Sequence, residues 1–243
     1  MNHPFLNEAS VSDEYISTSF PLANHTAPWH PTNTQITNWI LPHKTDINYD
    51  FNEYGYRGQW TNNDLDDSIW CFGDSQTLGM GLDEQDSWVS KLERITNIKT
   101  INLGIAGASN DTIARTLASA VRHGPNPRAI CVLLAAPNRR EIICDQGRLT
   151  MFPQAIKLLD KIDKKLFNQY LDSVDDTSNK INYSKNLMLM RSGRIKSVIV
   201  DFTVPVWPLA EQELAADGVH LGPTVQTQIA EYFKDRLKHK INL

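Results

Sequence analysis

The stretch SIWCFGDSQTLG, residues 68–79, determines the fold expected for this chain. Its first five residues form a mostly apolar run with the length of a buried β-strand. Gly73 permits a tight turn at the end of that run, and Asp and Ser are favoured at the start of a helix. The stretch therefore predicts a buried strand that leads directly into a helix.

The same pattern recurs further along the chain. Further buried strands are predicted at residues 99–103, 129–135 and 197–202. Apolar residues recur at helical spacing at residues 88–95, 113–121, 154–191 (with a break at 175–179) and 224–237. Strands that alternate with helices form parallel sheets with helices on both faces, and sites lie at the carboxyl ends of the strands. We therefore expect an α/β fold.

The composition is that of an ordinary globular protein. The chain has 243 residues, of which 41% are hydrophobic, and a formal net charge of −4 at pH 7. It has no basic run, so no nucleic-acid partner is expected. No apolar run approaches the ~18 residues of a membrane helix and no secretory signal is seen, so a cytoplasmic location is expected. Cys71, Cys131 and Cys144 form no C-x-x-C pair and are expected to be free thiols.

Residues 1–65 differ from the rest of the chain. They are rich in Asn, Thr, Pro and aromatic residues and show little helical periodicity. We expect an irregular extension that packs on a core domain spanning residues 66–243, in preference to a separate functional domain. Its aromatic side chains are suited to lining a cleft.

Two short motifs carry residues suited to nucleophilic catalysis. Ser75 follows the first predicted strand, a position that exposes the hydroxyl and aims backbone N–H groups at a forming oxyanion. Asp217 and His220 lie three positions apart before the last predicted helix, so one turn can join carboxylate and imidazole. Each motif also has an ordinary structural explanation, since Gly-Asp-Ser is a common helix cap and Asp-x-x-His fits a surface turn.

Two further strand ends carry candidate ligand-contacting residues. Residues 102–109, NLGIAGAS, contain two glycines that allow the backbone to approach a ligand closely. Residues 135–141, AAPNRRE, contain Asn138, whose amide can donate to an oxyanion. Both segments also fit plain turns after a strand.

Taken together and in this order, the four segments resemble the conserved blocks of the SGNH/GDSL hydrolase family. The resemblance extends from about residue 52 to the C-terminus and implies a three-layer α/β/α, flavodoxin-like fold with a short parallel sheet. It implies Ser75 as nucleophile, His220 as base and Asp217 as the residue that orients His220. The oxyanion would be held by the N–H groups of Ser75 and Gly107, with Gly104 as second choice, and by the Asn138 amide.

The third block departs from the family pattern. The family usually has Gly-x-Asn-Asp, whereas this chain has the segment 135–141 quoted above. Either Asn138 supplies the third donor from a shifted position, or Pro137 takes that place and the donor is missing or comes from elsewhere. Loss of one such donor typically costs about 2.7–4 kcal/mol of transition-state stabilisation. Arg139 and Arg140 are expected to pair with Glu141 or neighbouring carboxylates, the alternative being an acidic group of the substrate.

The predicted reaction is hydrolysis of carboxylic esters, acyl or acetyl, through an acyl-enzyme. We expect a small-molecule or carbohydrate ester as substrate, and no metal ion or other cofactor, because no motif for one is present. Trp207 is a candidate for substrate binding. Two alternatives remain open: an O-acyltransferase acting on a carbohydrate acceptor, and a non-catalytic binding or structural module on the same fold.

Overall fold

The fold is seen in a computed structural model of the chain. It describes residues 47, 49–52, 55–144, 147–151, 164–192, 198–203, 213–216 and 218–241. The strands are β1 (Ile69–Gly73), β2 (Thr100–Gly104), β3 (Ala129–Leu134), β4 (Arg140–Cys144), β5 (Gly147–Met151) and β6 (Val198–Thr203). The helices are α1 (Ser75–Leu78), α2 (Trp88–Thr96), α3 (Asn110–His123), α4 (Lys164–Ser173), α5 (Asp176–Ser192) and α6 (Pro223–Lys238).

The central sheet is parallel and has the strand order β2-β1-β3-β6. The chain runs outward from β1 to β2 and then crosses back past β1 to β3, so the direction of winding reverses between β1 and β3. Loops at the carboxyl ends of the two strands diverge at such a point and leave a crevice between them. This topology places any site beside the ends of β1 and β3.

Helices cover both faces of the sheet because its central strands are apolar on both sides. On β1, Ile69 and Cys71 pack in one cluster with residues of α2 and α6. The alternate residues, Trp70 and Phe72, pack in a second cluster with residues of α3 and α5. All five residues of β1 and all six of β3 are buried. The result is the three-layer α/β/α fold predicted from the sequence.

The predicted elements of the central sheet lie within one residue of the observed ones. The antiparallel hairpin formed by β4 and β5, in contrast, was not predicted. Its strands carry Arg140, Glu141 and Arg148 within short apolar stretches, and its turn lacks the Asn-Gly or Asp-Gly signal of tight hairpins. Within the described ranges, none of the helices has the length and apolar character needed to cross a bilayer.

The described residues before β1 are anchored to the core by a buried arginine. The Arg57 guanidinium donates to the carbonyl oxygens of Leu78 (3.1 Å), Gly79 (2.6 Å) and Leu82 (2.7 Å). It also lies over the Tyr49 ring, 4.6 Å from its centroid. Its burial lowers the pKa of Arg57 from the ordinary value. These contacts connect the segment to the turn that follows α1.

Candidate active site

Ser75 lies where β1 turns into α1. Asp74 caps this short helix, its Oδ1 atom accepting a hydrogen bond of 3.0 Å from the Gln76 N–H. The turn is tight because a Cβ atom at position 73 would lie 2.0 Å from Thr77 Oγ1. Glycine at position 73 therefore lets α1 begin directly at the strand end, with Ser75 as its first residue.

His220 reaches Ser75 from the far end of the chain. Its Nε2 atom lies 2.9 Å from Ser75 Oγ, although 145 positions separate the two residues. When Nε2 carries no proton, it accepts the hydroxyl hydrogen, which is the arrangement a general base needs. The imidazole is half-buried and Ser75 is buried. The structure therefore brings together the hydroxyl and the imidazole that the sequence motifs single out.

Glutamine side chains fix the loop that carries His220. The next residue, Leu221, donates its N–H to Gln76 Oε1 (3.1 Å). Gln226, fully buried on α6, donates to the Gln76 carbonyl (3.3 Å) and accepts from the Trp88 N–H (2.8 Å). These bonds join α1, α2 and α6 around the Ser75–His220 pair. The sequence analysis did not predict these contacts of Gln76 and Gln226. For Gln226 the sequence offers one signal, a polar residue beside the apolar positions of α6.

The two candidate glycines after β2 have different environments. The Gly104 N–H donates to Asn102 Oδ1 (3.0 Å), and a Cβ atom there would lie 2.3 Å from the Leu78 backbone nitrogen. Gly104 is thus needed for the close approach of α1 to β2. Gly107 has a φ of +73°, and a Cβ atom there would meet nothing within 4 Å. The space beside the Gly107 Cα atom, where a Cβ would lie, is open.

The segment after β3 contributes an arginine to the site. Arg139 Nη1 lies 2.8 Å from Asp74 Oδ2, directly beside the nucleophile candidate. Glu141 receives a bidentate contact from Arg115, at 2.7 and 3.1 Å. We expected Arg139 and Arg140 to pair with Glu141 or with neighbouring carboxylates at the surface. Arg139 instead binds the buried Asp74, Glu141 is bound by Arg115 of α3, and the contacts of Arg140 are to Pro137, Arg139 and Asn179.

The remaining candidate residues have these positions. Asn138 is half-buried, and its backbone carbonyl accepts a hydrogen bond of 2.9 Å from the Tyr170 hydroxyl. Pro137, the alternative occupant of the third-block position, is exposed. Asp217 and Trp207 lie outside the described residues.

Cys71 and Cys131 are buried free thiols, and burial raises the pKa of the Cys71 thiol well above its ordinary value.

Comparisons with known proteins give structural likeness only. No protein-family model matches the sequence, and no curated protein sequence matches it. The crystal structure of TesA has a TM-score of 0.44 and 15% identity, covering 71% of this chain and 98% of that one. A putative lipolytic protein of the G-D-S-L family from Desulfitobacterium hafniense has a TM-score of 0.38 and 14% identity, covering 70% and 99%.

An acetyl xylan esterase, Est2A, from the rumen bacterium Butyrivibrio proteoclasticus has a TM-score of 0.42 and 13% identity, covering 72% of this chain and 64% of that one. At these identities and TM-scores the likeness carries no conclusion about substrate or mechanism. The strand order and the helices on both faces of the sheet give the three-layer α/β/α fold that the sequence blocks imply.

Proposed function

We propose that this protein is a serine hydrolase of carboxylic esters that works through an acyl-enzyme. The observation that carries the proposal is the 2.9 Å contact between Ser75 Oγ and His220 Nε2. A serine hydroxyl becomes an effective nucleophile only when a base within hydrogen-bond reach removes its proton. This pair lies at the carboxyl end of β1, beside the point where the winding of the sheet reverses.

The proposed reaction has two halves. His220 takes the proton of Ser75 as Oγ attacks the ester carbonyl, and then gives that proton to the leaving alcohol. His220 next activates water, which cleaves the acyl-enzyme and regenerates Ser75. Asp217 is proposed to accept from the other imidazole nitrogen, which fixes the tautomer and stabilises the imidazolium.

The oxyanion of each tetrahedral intermediate needs donors on the side of the carbonyl away from His220. We assign this role to the backbone N–H groups of Ser75 and Gly107, with the Asn138 amide as third donor. The positive φ and open surroundings of Gly107 support its part. The Gly104 N–H already donates to Asn102, which makes it the weaker choice.

Substitution of the hydroxyl and the imidazole tests the proposal. Ser75→Ala and His220→Ala should each lower kcat for p-nitrophenyl acetate by about 10⁴-fold or more, because such residues act as a unit. Asp217→Asn should lower it by a smaller factor. Labelling of Ser75 by a fluorophosphonate probe should disappear in His220→Ala.

Exposed residues of the same type provide matched controls. Ser184 is exposed on α5 and His239 is exposed just after the end of α6, so Ser184→Ala and His239→Ala should leave kcat unchanged. Near-full turnover in Ser75→Ala would remove this residue from the mechanism. If the wild type turns over acyl donors only when an alcohol acceptor is present, the acyltransferase alternative applies. If the wild type neither labels nor turns over, the non-catalytic alternative applies.

A further inference from the structure

The Arg139 guanidinium connects two of the strand-end segments that form the candidate site. Its Nη1 atom lies 2.8 Å from Asp74 Oδ2 and 3.3 Å from the Ala108 carbonyl oxygen. Asp74 immediately precedes Ser75, and Ala108 immediately follows Gly107. One cation thus contacts the direct neighbours of both residues proposed to donate backbone N–H groups to the oxyanion.

Asp74 is held through both of its carboxylate oxygens. Oδ1 accepts from the Gln76 N–H and Oδ2 binds Arg139. Its side chain is only 9% exposed, whereas that of Arg139 is 25% exposed. A carboxylate beside a forming oxyanion would repel it, and a guanidinium bound to the carboxylate offsets that repulsion.

The Ala108 contact fixes the second segment. Ala108 is buried, and its N–H donates to the Ile105 carbonyl at 3.1 Å. With its own carbonyl held by Arg139, the residue is bound at both ends. Gly107, directly before it, has a φ of +73°, and the place where its Cβ would lie is open.

Arg139 itself has an anchored backbone. Its N–H donates to the Ala136 carbonyl (3.2 Å), and the preceding Asn138 carbonyl accepts from the Tyr170 hydroxyl (2.9 Å). The guanidinium therefore extends from a fixed turn after β3 and joins the ends of three adjacent segments of the fold, which follow β1, β2 and β3.

The geometry points to Arg139 as a positioning residue for the proposed reaction, an inference that rests on the proposed function. It holds Asp74 and the Gly107–Ala108 segment so that the N–H groups of Ser75 and Gly107 face one oxyanion, and its charge neutralises the Asp74 carboxylate. It does so from the third block, where this chain departs from the family pattern.

Steady-state kinetics with p-nitrophenyl acetate, corrected for active sites titrated with the fluorophosphonate, test this role. Arg139→Met should lower kcat per titrated site about tenfold or more, because small misplacement of donors is costly, with KM changed less than twofold. The labelling rate of Ser75 should fall in parallel. Arg139→Lys keeps the cation and should recover part of the loss, but not all, because it lacks the planar fork.

Arg140→Met is the matched control, because Arg140 is the next residue along the chain and its contacts are not to Asp74. Its guanidinium donates to the backbone carbonyls of Pro137 and Arg139 and to the side-chain oxygen of Asn179. It should retain kcat within about twofold of the wild type. Where Arg139→Met does not fold, Asp74→Asn replaces the ion pair with a weaker neutral hydrogen bond and keeps an oxygen for the helix cap. A fall in kcat is again expected, but a smaller one, because the carboxylate that would repel the oxyanion is removed as well.

An unchanged kcat per titrated site in Arg139→Met, or in Asp74→Asn in its place, would overturn the role of Arg139 while leaving the proposed function intact. An equal loss in Arg140→Met would also overturn it. A wild type without Ser75-dependent turnover would reject the proposed function, and the role of Arg139 with it.

Discussion

Gly107 has a backbone conformation that an L-residue with a side chain rarely adopts. Its φ is +73°, and no atom lies near the place where a Cβ would be. Gly107→Ala therefore causes no collision but costs about 1–2 kcal/mol when the left-handed conformation is kept. Relaxation of that strain turns the peptide N–H away from the oxyanion. We expect kcat for p-nitrophenyl acetate to fall about tenfold while KM stays similar.

Urea unfolding of the same variant separates the two consequences. A loss of stability well below about 1–2 kcal/mol would show that the strain has relaxed. Full kcat in such a relaxed variant would exclude the Gly107 N–H from the oxyanion site.

Local motifs in the sequence single out Ser75 and His220, which the structure brings together, but they do not reveal contacts whose partner comes from a distant segment. Ser75 and His220 stand in short patterns whose chemistry can be recognised locally. The contact of Arg139 with Asp74 joins positions 65 apart, and Gln76 contacts Leu221 across 145. Such pairs depend on which strand ends become neighbours in the sheet, which local spacing does not determine.

Gln226 joins three helices through its carboxamide. Its side chain is fully buried on α6. The carboxamide donates to the Gln76 carbonyl of α1 and accepts from the N–H of Trp88, the first residue of α2. Gln226→Leu preserves much of the volume but leaves that N–H without its acceptor. We expect a loss of about 1–3 kcal/mol in the free energy of unfolding, measured with urea.

The adjacent helix surface provides the comparison for this change. Gln228 is exposed, so Gln228→Leu should stay within about 0.5 kcal/mol of the wild type. Equal stability of the two leucine variants would show that the carboxamide contacts of Gln226 contribute nothing.

The strands of the central sheet were predictable because each is a short apolar run bounded by turn residues, and burial on both faces requires such a run. The β4–β5 hairpin was not, because charged residues interrupt its strands and its pairing does not follow from any tight-turn signal. A break in the long helical region was expected at residues 175–179, but the structure has it at 174–175. Residues 176–179 begin α5 because Asp175 accepts a hydrogen bond from the Ser178 N–H and starts that helix.

At the scale of the whole molecule, Arg57 connects the segment before β1 to the turn that follows α1, the short helix that begins with Ser75. It is fully buried and serves three carbonyl groups with a planar fork. Arg57→Lys cannot reach all three acceptors from one ammonium group. We expect a loss of at least about 2 kcal/mol in the free energy of unfolding, because buried acceptors lose their donors.

An exposed arginine gives the reference value for the same substitution. Arg128 pairs with Asp67 at the surface, where an ion pair contributes little. Arg128→Lys should therefore change stability by less than about 0.5 kcal/mol. A similarly small effect at Arg57 would mean that the segment before β1 is held by its aromatic side chains alone.

The 145-residue separation between the hydroxyl and its base has a consequence for partly folded forms of the protein. The proposed nucleophile lies just after the first strand of the sheet, but the group that would deprotonate it lies just before the last helix. Under the proposed mechanism, a chain whose final helix is not docked has no base beside Ser75, so the serine hydroxyl stays unactivated and no ester is cleaved. Ester turnover would then report the docking of that helix, and a misfolded or incomplete molecule would have no esterase activity.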